Sequence, residues 1–473
     1  MQPPTSPERQ PWSILLLLGV AQFMVIIDMT VVNVALPTIG AALHFASPAD
    51  LQWVVSAYVL FSGGLLLLGG RTADLLGRRR VFLAGLLIFS IASLVSGFAP
   101  SPLMLIVSRA LQGLGAAFLT PAALSIITTT YTGAQRSSAL AAWGAIGGAG
   151  AAAGVLLGGV VTSFLGWQWV FFINLPIGLV AAALALRLLP VSPTIAVRLR
   201  ELDLIGALAQ TAGLVLLVYT IEGTATYGWA STQTLVSLGL AAALLAGFLL
   251  IERLVQRPLL PPATWRNRSL SSGVGMMLGV SGIMGAAFFL NSLFLQGVMG
   301  ATALQTGLAF VPFAVVIFVA SHLGSLLVAH LGTRSVLVLG LLAAASGVLL
   351  LARMPDQPTF VADLLPGFLA LGAGLGLAFV AIAVTVTADV NPAQAGVASA
   401  LMMTGHELGA ALGVALFSAV ASARSVQSGF TAGYTEALGA AAIVAIVLTL
   451  LSLVAVPVVR PVGGAARAAL HGG

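Results

Sequence analysis

Asp28, Arg109, Glu222, His406 and Glu407 all lie in or at the end of apolar runs long enough to cross a bilayer. A charge at mid-bilayer costs about 2.5–3.5 kcal/mol on insertion scales, so such positions mark ion paths, proton relays or ligand sites. Asp28 stands about fourteen residues into its run, roughly 21 Å at a 1.5 Å rise. Its expected role is proton coupling or cation recognition, against a structural hydrogen bond to a neighbouring helix. Arg109 is a permanent cation that can stabilise a nearby carboxylate and lower its proton affinity, which suits a relay; a static tie between helices competes with that role. Glu407 falls mid-run and is expected to face a shared interface, for coupling or substrate binding. His406, one residue before it, points elsewhere on a helix and has core packing as its competing role. Glu222 closes its run near a surface where water can hydrate it, so an ordinary interfacial carboxylate is the alternative there. His322 reads as structural. No clustered metal ligands, nucleophile–base pair or phosphate-cradling loop accompanies these residues, and the chain has no cysteine.

The elements that hold these residues must be transmembrane helices. The chain has 473 residues, 59% hydrophobic and 7% charged, with a mean hydropathy of +1.10, whereas soluble domains carry about 25% charged residues. Each span needs about 20 apolar residues. Apolar runs from 14–36 to 437–458 give about fourteen spans, the seventh and eighth within 204–252. The predicted fold class is therefore all-α and polytopic, with the lipid bilayer as its solvent. The net charge of +6 does not imply nucleic-acid binding, because the arginines sit in short clusters between apolar runs. With a cytoplasmic N-terminus nearly all of them fall inside; Arg353 and Arg424 are the exceptions, and Arg109 lies within a span. Both termini are then cytoplasmic, in a cell membrane. Arg9 followed by an uncleaved apolar run reads as a first span rather than a signal peptide.

The chain also repeats at an offset of 255 residues. Gly77, Arg79, Val81, Gly85 and Leu86 fall on Gly332, Arg334, Val336, Gly340 and Leu341, while Gly150, Gly154 and Gly158 fall on Gly405, Gly409 and Gly413. A parallel repeat of six-helix bundles is a transporter architecture with its site near the midplane. The expected organisation is a tail at 1–13, a bundle at 14–189, two inserted helices at 204–252, a second bundle at 270–458 and a tail at 459–473. Glycines at every fourth residue line one helix face and admit a close neighbour. Gly150, Gly154, Gly158 and Gly159 are expected to form a tight seam that biases which side opens, or else ordinary packing.

The stretch Gly70-Arg71-Thr72-Ala73-Asp74-Leu75-Leu76-Gly77-Arg78-Arg79-Arg80 joins the second and third spans. It resembles the loop signature of the major facilitator superfamily, in which Gly70, Asp74, Gly77, Arg78 and Arg79 would form a cytoplasmic latch. Asp28 to Pro37, Arg109 to Gly115, the glycines from Gly144 to Gly159, and Trp167 to Pro176 are similar to motifs of its fourteen-helix drug:proton antiporter branch. Where that branch has Gly-Pro, this chain has Gly154-Val155; where the second half would have the latch acid, it has Ala329. The resemblance implies two six-helix bundles plus two inserted helices, and proton-coupled efflux of small lipophilic drugs, often cationic. Its partners would be those substrates and protons, with no cofactor beyond the proton gradient. A dedicated metabolite exporter, a proton-coupled importer and, more remotely, a non-transporting receptor or scaffold are the competing functions.

The arginine asymmetry generates a test. The absence of cysteine gives a clean background, so single cysteines at Ser6 and Ala466 should react with an impermeant maleimide only after the membrane is opened. Reaction of either in intact cells would reverse the orientation.

Overall fold

An apolar run inside a bilayer has no water for its backbone and must satisfy its own N–H and C=O groups, which makes each run a helix. The computed structural model describes residues 12–131, 133–190, 203–255, 266–355, 357–388 and 395–459. The expected tails at 1–13 and 459–473 lie almost wholly outside them. The first half comprises α1 (Trp12–Leu43), α2 (Pro48–Leu76), α3 (Arg78–Gly97), α4 (Pro102–Thr130), α5 (Gly133–Phe164), the short α6 (Trp169–Phe172) and α7 (Asn174–Leu188). Two helices follow, α8 (Leu204–Tyr227) and α9 (Thr232–Leu254). The second half comprises α10 (Arg268–Gly297), α11 (Ala303–Leu331), α12 (Thr333–Leu351), α13 (Leu365–Ala388), α14 (Ala395–Ser428) and α15 (Phe430–Ala455). Thirteen described helices are long and apolar enough to cross a membrane, α6 and α7 counting together as one. The 32-residue α5 is a further long helix.

Local chemistry sets the helix ends. Ser47 and Ser101 each cap a helix that opens on proline, accepting from the Asp50 and Met104 amides, a pairing that satisfies an orphan donor where proline needs none. Thr302 and Gln305 form a reciprocal capping box at α11. The span expected at 169–189 is divided at Ile173, because Pro176 lies in the first turn of α7 and cannot donate back to Phe172. The span expected at 361–385 opens on a π turn over Phe360–Leu364.

Helix pairing follows the same scheme in each half. Helices α1 and α5 pack together as do α10 and α14; α2 and α4 as do α11 and α13; α3 and α4 as do α12 and α13. Across the molecule α2 lies against α14 and α5 against α11, while α8 rests on both α2 and α14. Four hydrogen bonds joining the halves lie at the end opposite Gly77. Ser292 and Gln296 donate to the Asn33 and Val34 carbonyls at 2.8 Å each, Leu304 N–H donates to Ser163 at 3.0 Å, and Ser418 bonds Gln52. The halves are thereby tied to each other at the Gly300 end.

Within each half a polar pair joins the first helix to the last. In the first half Asn174 Nδ2 on α7 donates to Asp28 on α1 at 2.8 Å. In the second, the Tyr434 hydroxyl on α15 donates to Asn291 on α10 at 2.8 Å, and its ring stacks on Phe294 with centroids 4.2 Å apart.

Glycine sets the closest approaches. A Cβ on Gly158 would stand 3.0 Å from the Val31 Cα, and one on Gly413 would overlap the Gly282 backbone, whereas Gly439 has nothing within 4 Å. Overpacking costs about 1–3 kcal/mol. Gly413→Leu should therefore lower the melting temperature in detergent, and Gly439→Leu should leave it close to that of the parent.

Candidate functional site

A cavity of about 620 Å³ lies between the halves. Helices α1, α2 and α4 contribute Gln22, Asn33, Tyr58 and Thr120 to its wall, and the second half contributes Phe288, Phe313, Phe318 and Phe379. Methionines 29, 284 and 403 fill the surface between the rings; their flexible, polarizable chains adapt to ligands of different outline. Phe288 meets Phe313 edge to face, with centroids 5.1 Å apart. Besides Tyr58, two histidines and one carboxylic acid enter this apolar wall: His322 on α11 and His406 and Glu407 on α14.

Glu407 Oε2 is buried without a hydrogen-bond partner. Opposite it α2 carries Gly63, where a Cβ would lie 2.7 Å from Glu407 Cβ, so the absence of a side chain is what lets α14 approach α2 at this level. His406 combines packing contacts with a place on the cavity wall. Its Nδ1 lies 2.7 Å from Ser281 Oγ, its ring meets Phe379 edge to face at 5.7 Å, and it lines the cavity beside Glu407. The cavity is wide enough to span the angle between successive residues of one helix. His322, expected to be structural, is on the wall for a similar reason: α11 turns its Phe313–His322 face inward.

Asp28 is absent from that wall. Residues Val25, Ile26, Met29 and Thr30 of α1 face the cavity, and Asp28 points behind them, 0% exposed. Its Oδ2 accepts from Arg109 Nη1 at 2.6 Å, and its Oδ1 accepts from Gln112 Nε2 at 2.7 Å and Asn174 Nδ2 at 2.8 Å. Arg109, 1% exposed, also donates from Nε to the Val54 carbonyl at 3.0 Å and from Nη1 to Gln112 Oε1 at 2.8 Å. Its guanidinium carbon stands 4.3 Å over the Tyr58 ring. Asn174 reaches Ser93 at 3.0 Å. One buried ion pair therefore ties α1, α2, α3, α4 and α7 together. Of this set Gln112 and Asn174 had no role assigned from sequence. Gln112 is three residues from Arg109, which places both on one helix face.

Residues 18–414 match the Major Facilitator Superfamily. The chain belongs to it. Among curated proteins this facilitator is 40% identical to puromycin resistance protein pur8 of Streptomyces alboniger, over 90% of this chain and 84% of that one. It is 38% identical to cephamycin export protein CmcT of Amycolatopsis lactamdurans, over 88% and 86%. Among solved structures, the D-xylose-proton symporter superposes with a TM-score of 0.67 at 14% identity, covering 94% of this chain and 98% of that one. That likeness concerns the fold. The protein is a multi-pass membrane transporter for small molecules.

The loop residues of the facilitator form a tie within the first half. Gly77, at φ +97°, ends α2 and lets the chain turn into α3. Asp74 in the last turn of α2 pairs with Arg78 across the turn at 3.7 Å, both partly exposed, and accepts from Ser125 of α4 at 3.5 Å. Arg79 Nη2 donates to the Leu186 carbonyl in the last turn of α7 at 2.6 Å, where the carbonyls of a helix terminus favour a cation. In the other half Arg334 Nε reaches the Val456 carbonyl after α15 at 2.7 Å. The arginine tether is thus duplicated, while the acid is present in the first half alone, Ala329 standing at its place in the second. Gly70 lies 3.6 Å from the Pro121 side chain of α4, measured from an ideal Cβ.

The glycine ladder turns out to face inward within one half. Gly150, Gly154 and Gly158 sit against Phe23, Ile27 and Val31 of α1, and the neighbouring Gly159 faces Ala303 and Leu304 of α11. The seam between halves therefore runs past Gly159, one residue round the helix from the ladder.

Glu222 is 8% exposed, so of its two sequence readings it does not fit the hydrated interfacial carboxylate. Helix α8 lies in the groove between α2 and α14, which covers its outer end. Glu222 does not line the cavity.

Removing one partner of a buried ion pair costs about 3–5 kcal/mol, because the other charge is left uncompensated. Asp28→Asn should therefore destabilise the detergent-solubilised protein strongly, and Asp28→Leu combined with Arg109→Met should recover part of the loss. Glu407→Gln, which breaks no ion pair, should shift the melting temperature little. Equal effects of the two single substitutions would contradict this division.

Proposed function

We propose that this facilitator exports small lipophilic molecules, many of them cationic, from the cytoplasm in exchange for protons. The observation that carries the reading is Glu407: a carboxyl with an unpaired oxygen inside an aromatic, methionine-lined cavity between halves that are hydrogen-bonded together at the Gly300 end. Such a wall takes up apolar and aromatic molecules of varied outline, and a lone carboxylate in a low-dielectric space attracts a cation strongly. Proton and cationic cargo compete for that charge, and competition suffices for exchange. The names of the relatives, which refer to puromycin resistance and cephamycin export, support a direction outward. The reading places both termini and the Gly77 loop in the cytoplasm.

Asp28 has a different part in the cycle. Its proton cannot compete with cargo, since it stands behind the cavity wall; instead, protonation would discharge the pair with Arg109 and loosen five helices from one another. The two halves then rock about the central cavity, alternately sealing each end. The proton gradient is the sole energy source, and no cofactor takes part.

Reconstitution tests both assignments. With an imposed pH gradient, proteoliposomes should concentrate a cationic dye, and a pH indicator should register protons released when the dye binds the detergent-solubilised protein. Glu407→Gln should abolish the binding-linked proton release and weaken cationic cargo more than neutral cargo. Asp28→Asn, at matched protein in the membrane, should still bind dye but fail to concentrate it. Failure of the unaltered protein to respond to the pH gradient would remove proton exchange from the reading.

A further inference from the structure

We propose that Gln22 is a second cargo contact, so that the cavity selects cationic molecules which carry a further N–H or O–H donor apart from the charge. The inference rests on the reading of Glu407 as the seat of the cationic group. It narrows the cargo from any lipophilic cation to one with two hydrogen-bonding ends.

Among the described residues of the cavity wall, two buried side-chain atoms have no hydrogen-bond partner: Glu407 Oε2 and Gln22 Oε1. Both are acceptors, and they belong to opposite halves. Native interiors hold few such atoms and each calls for a reason. Gln22 is 6% exposed and meets open space at the cavity wall, where its two methylenes let the amide swing toward a bound molecule. The other polar groups of the wall are engaged or undiscriminating. Thr30 Oγ1 donates to the Ile26 carbonyl at 3.0 Å and Asn33 Nδ2 to the Met29 carbonyl at 2.8 Å. Ser321 Oγ donates to the Gly376 carbonyl at 3.3 Å, and His406 is held by Ser281 at 2.7 Å. The hydroxyls of Tyr58, Ser62 and Thr120 and the His322 ring can each donate or accept, so they do not choose between cargos.

The backbone brings the two acceptors to one depth. Asp28 is bonded to Arg109, which reaches the Val54 carbonyl and covers the Tyr58 ring, so residue 28 of α1 and residues 54–58 of α2 share a level. From that level Gln22 and Gly63 both lie away from the turn that joins Leu43 to Pro48. Gln22 is six residues from Asp28, about 9 Å at a rise of 1.5 Å per residue. Gly63, against which Glu407 packs, is five residues from Tyr58, about 7.5 Å at the same rise. Helices α1 and α14 thus offer an amide carbonyl and a carboxyl to one layer of the cavity. The carboxylate attracts the positive charge, whereas the carbonyl asks for a donor. Water can supply that donor while the cavity is open. A cargo that displaces water and brings no second donor leaves the carbonyl unmade, which costs affinity. A cargo with both groups engages both halves at once.

Two dyes with the same ring system supply the test. Proflavine and acridine orange share a protonated acridine, but the exocyclic amines of the first carry N–H donors and those of the second are fully methylated. Fluorescence titration of the detergent-solubilised full chain gives the ratio of the two affinities. Gln22→Met, which keeps the length and removes the amide, should weaken proflavine several-fold and leave acridine orange unchanged. Gln22→Glu, which keeps an acceptor, should retain the parental ratio. Glu407→Gln should weaken both dyes together at an unchanged ratio. A parental ratio in the Gln22→Met protein overturns the proposal, whether both affinities persist or both fall in parallel, the second marking a packing role. If the parent binds neither dye, or Glu407→Gln binds both as the parent does, the cationic reading itself fails and recognition at two points falls with it.

Discussion

The ion pair of Asp28 and Arg109 is the constraint around which the first half is assembled. Two opposite charges, both all but excluded from solvent, cannot be stable in an apolar interior unless each finds a full set of partners. The neighbouring helices are placed so as to supply them: a carbonyl from α2, an amide from α4, another from α7, and an aromatic face from Tyr58. Gly113, whose Cβ would overlap the Tyr58 carbonyl, sits one turn beyond Arg109 and allows α4 to reach that depth. The second half satisfies the same geometric need with the neutral contact of Tyr434 and Asn291.

Small residues do for helix approach what the ion pair does for helix identity. Lipid tails are as apolar as leucine side chains, so hydrophobic burial gives little drive for one transmembrane helix to seek another. Dispersion across close backbones and a few polar contacts must do that instead. The glycine faces of α5 and α14 meet α1 and α10, Gly63 meets Glu407, and Gly159 and Gly307 bring α5 against α11. Close backbone approach between halves is thus concentrated at a few glycines, with polar contacts added at the Gly300 end.

Much of this was legible in the sequence because the bilayer imposes a strong pattern. Spans follow from apolar length, and the repeat from glycine and arginine spacing. Asp28 and Arg109 stood out by cost alone. Their mutual pairing did not, since it depends on how α1 and α4 rotate about their axes, which hydropathy leaves open when a helix is apolar all round. The same indeterminacy explains His406 and His322, whose directions depend on the width of a cavity that several helices define together. The burial of Glu222 was open for a different reason: distance along a helix measures depth in the membrane, but burial there was decided by α2 and α14, distant in sequence. Gln112 and Asn174 are uncharged, so nothing in their composition marked them apart from other polar residues in a span.

The cavity wall is unevenly recruited. Its phenylalanines come from α10, α11 and α13, and Glu407 comes from α14, whereas the buried pair and its amide partners belong entirely to α1, α4 and α7. The phenylalanine-bearing side of the wall and the buried ion pair thus reside on opposite halves of a duplicated chain. Substitutions that reshape a ring of the wall need not disturb the charges behind α1. A chain built this way can reshape its cavity through one half while the ion pair in the other keeps all its partners.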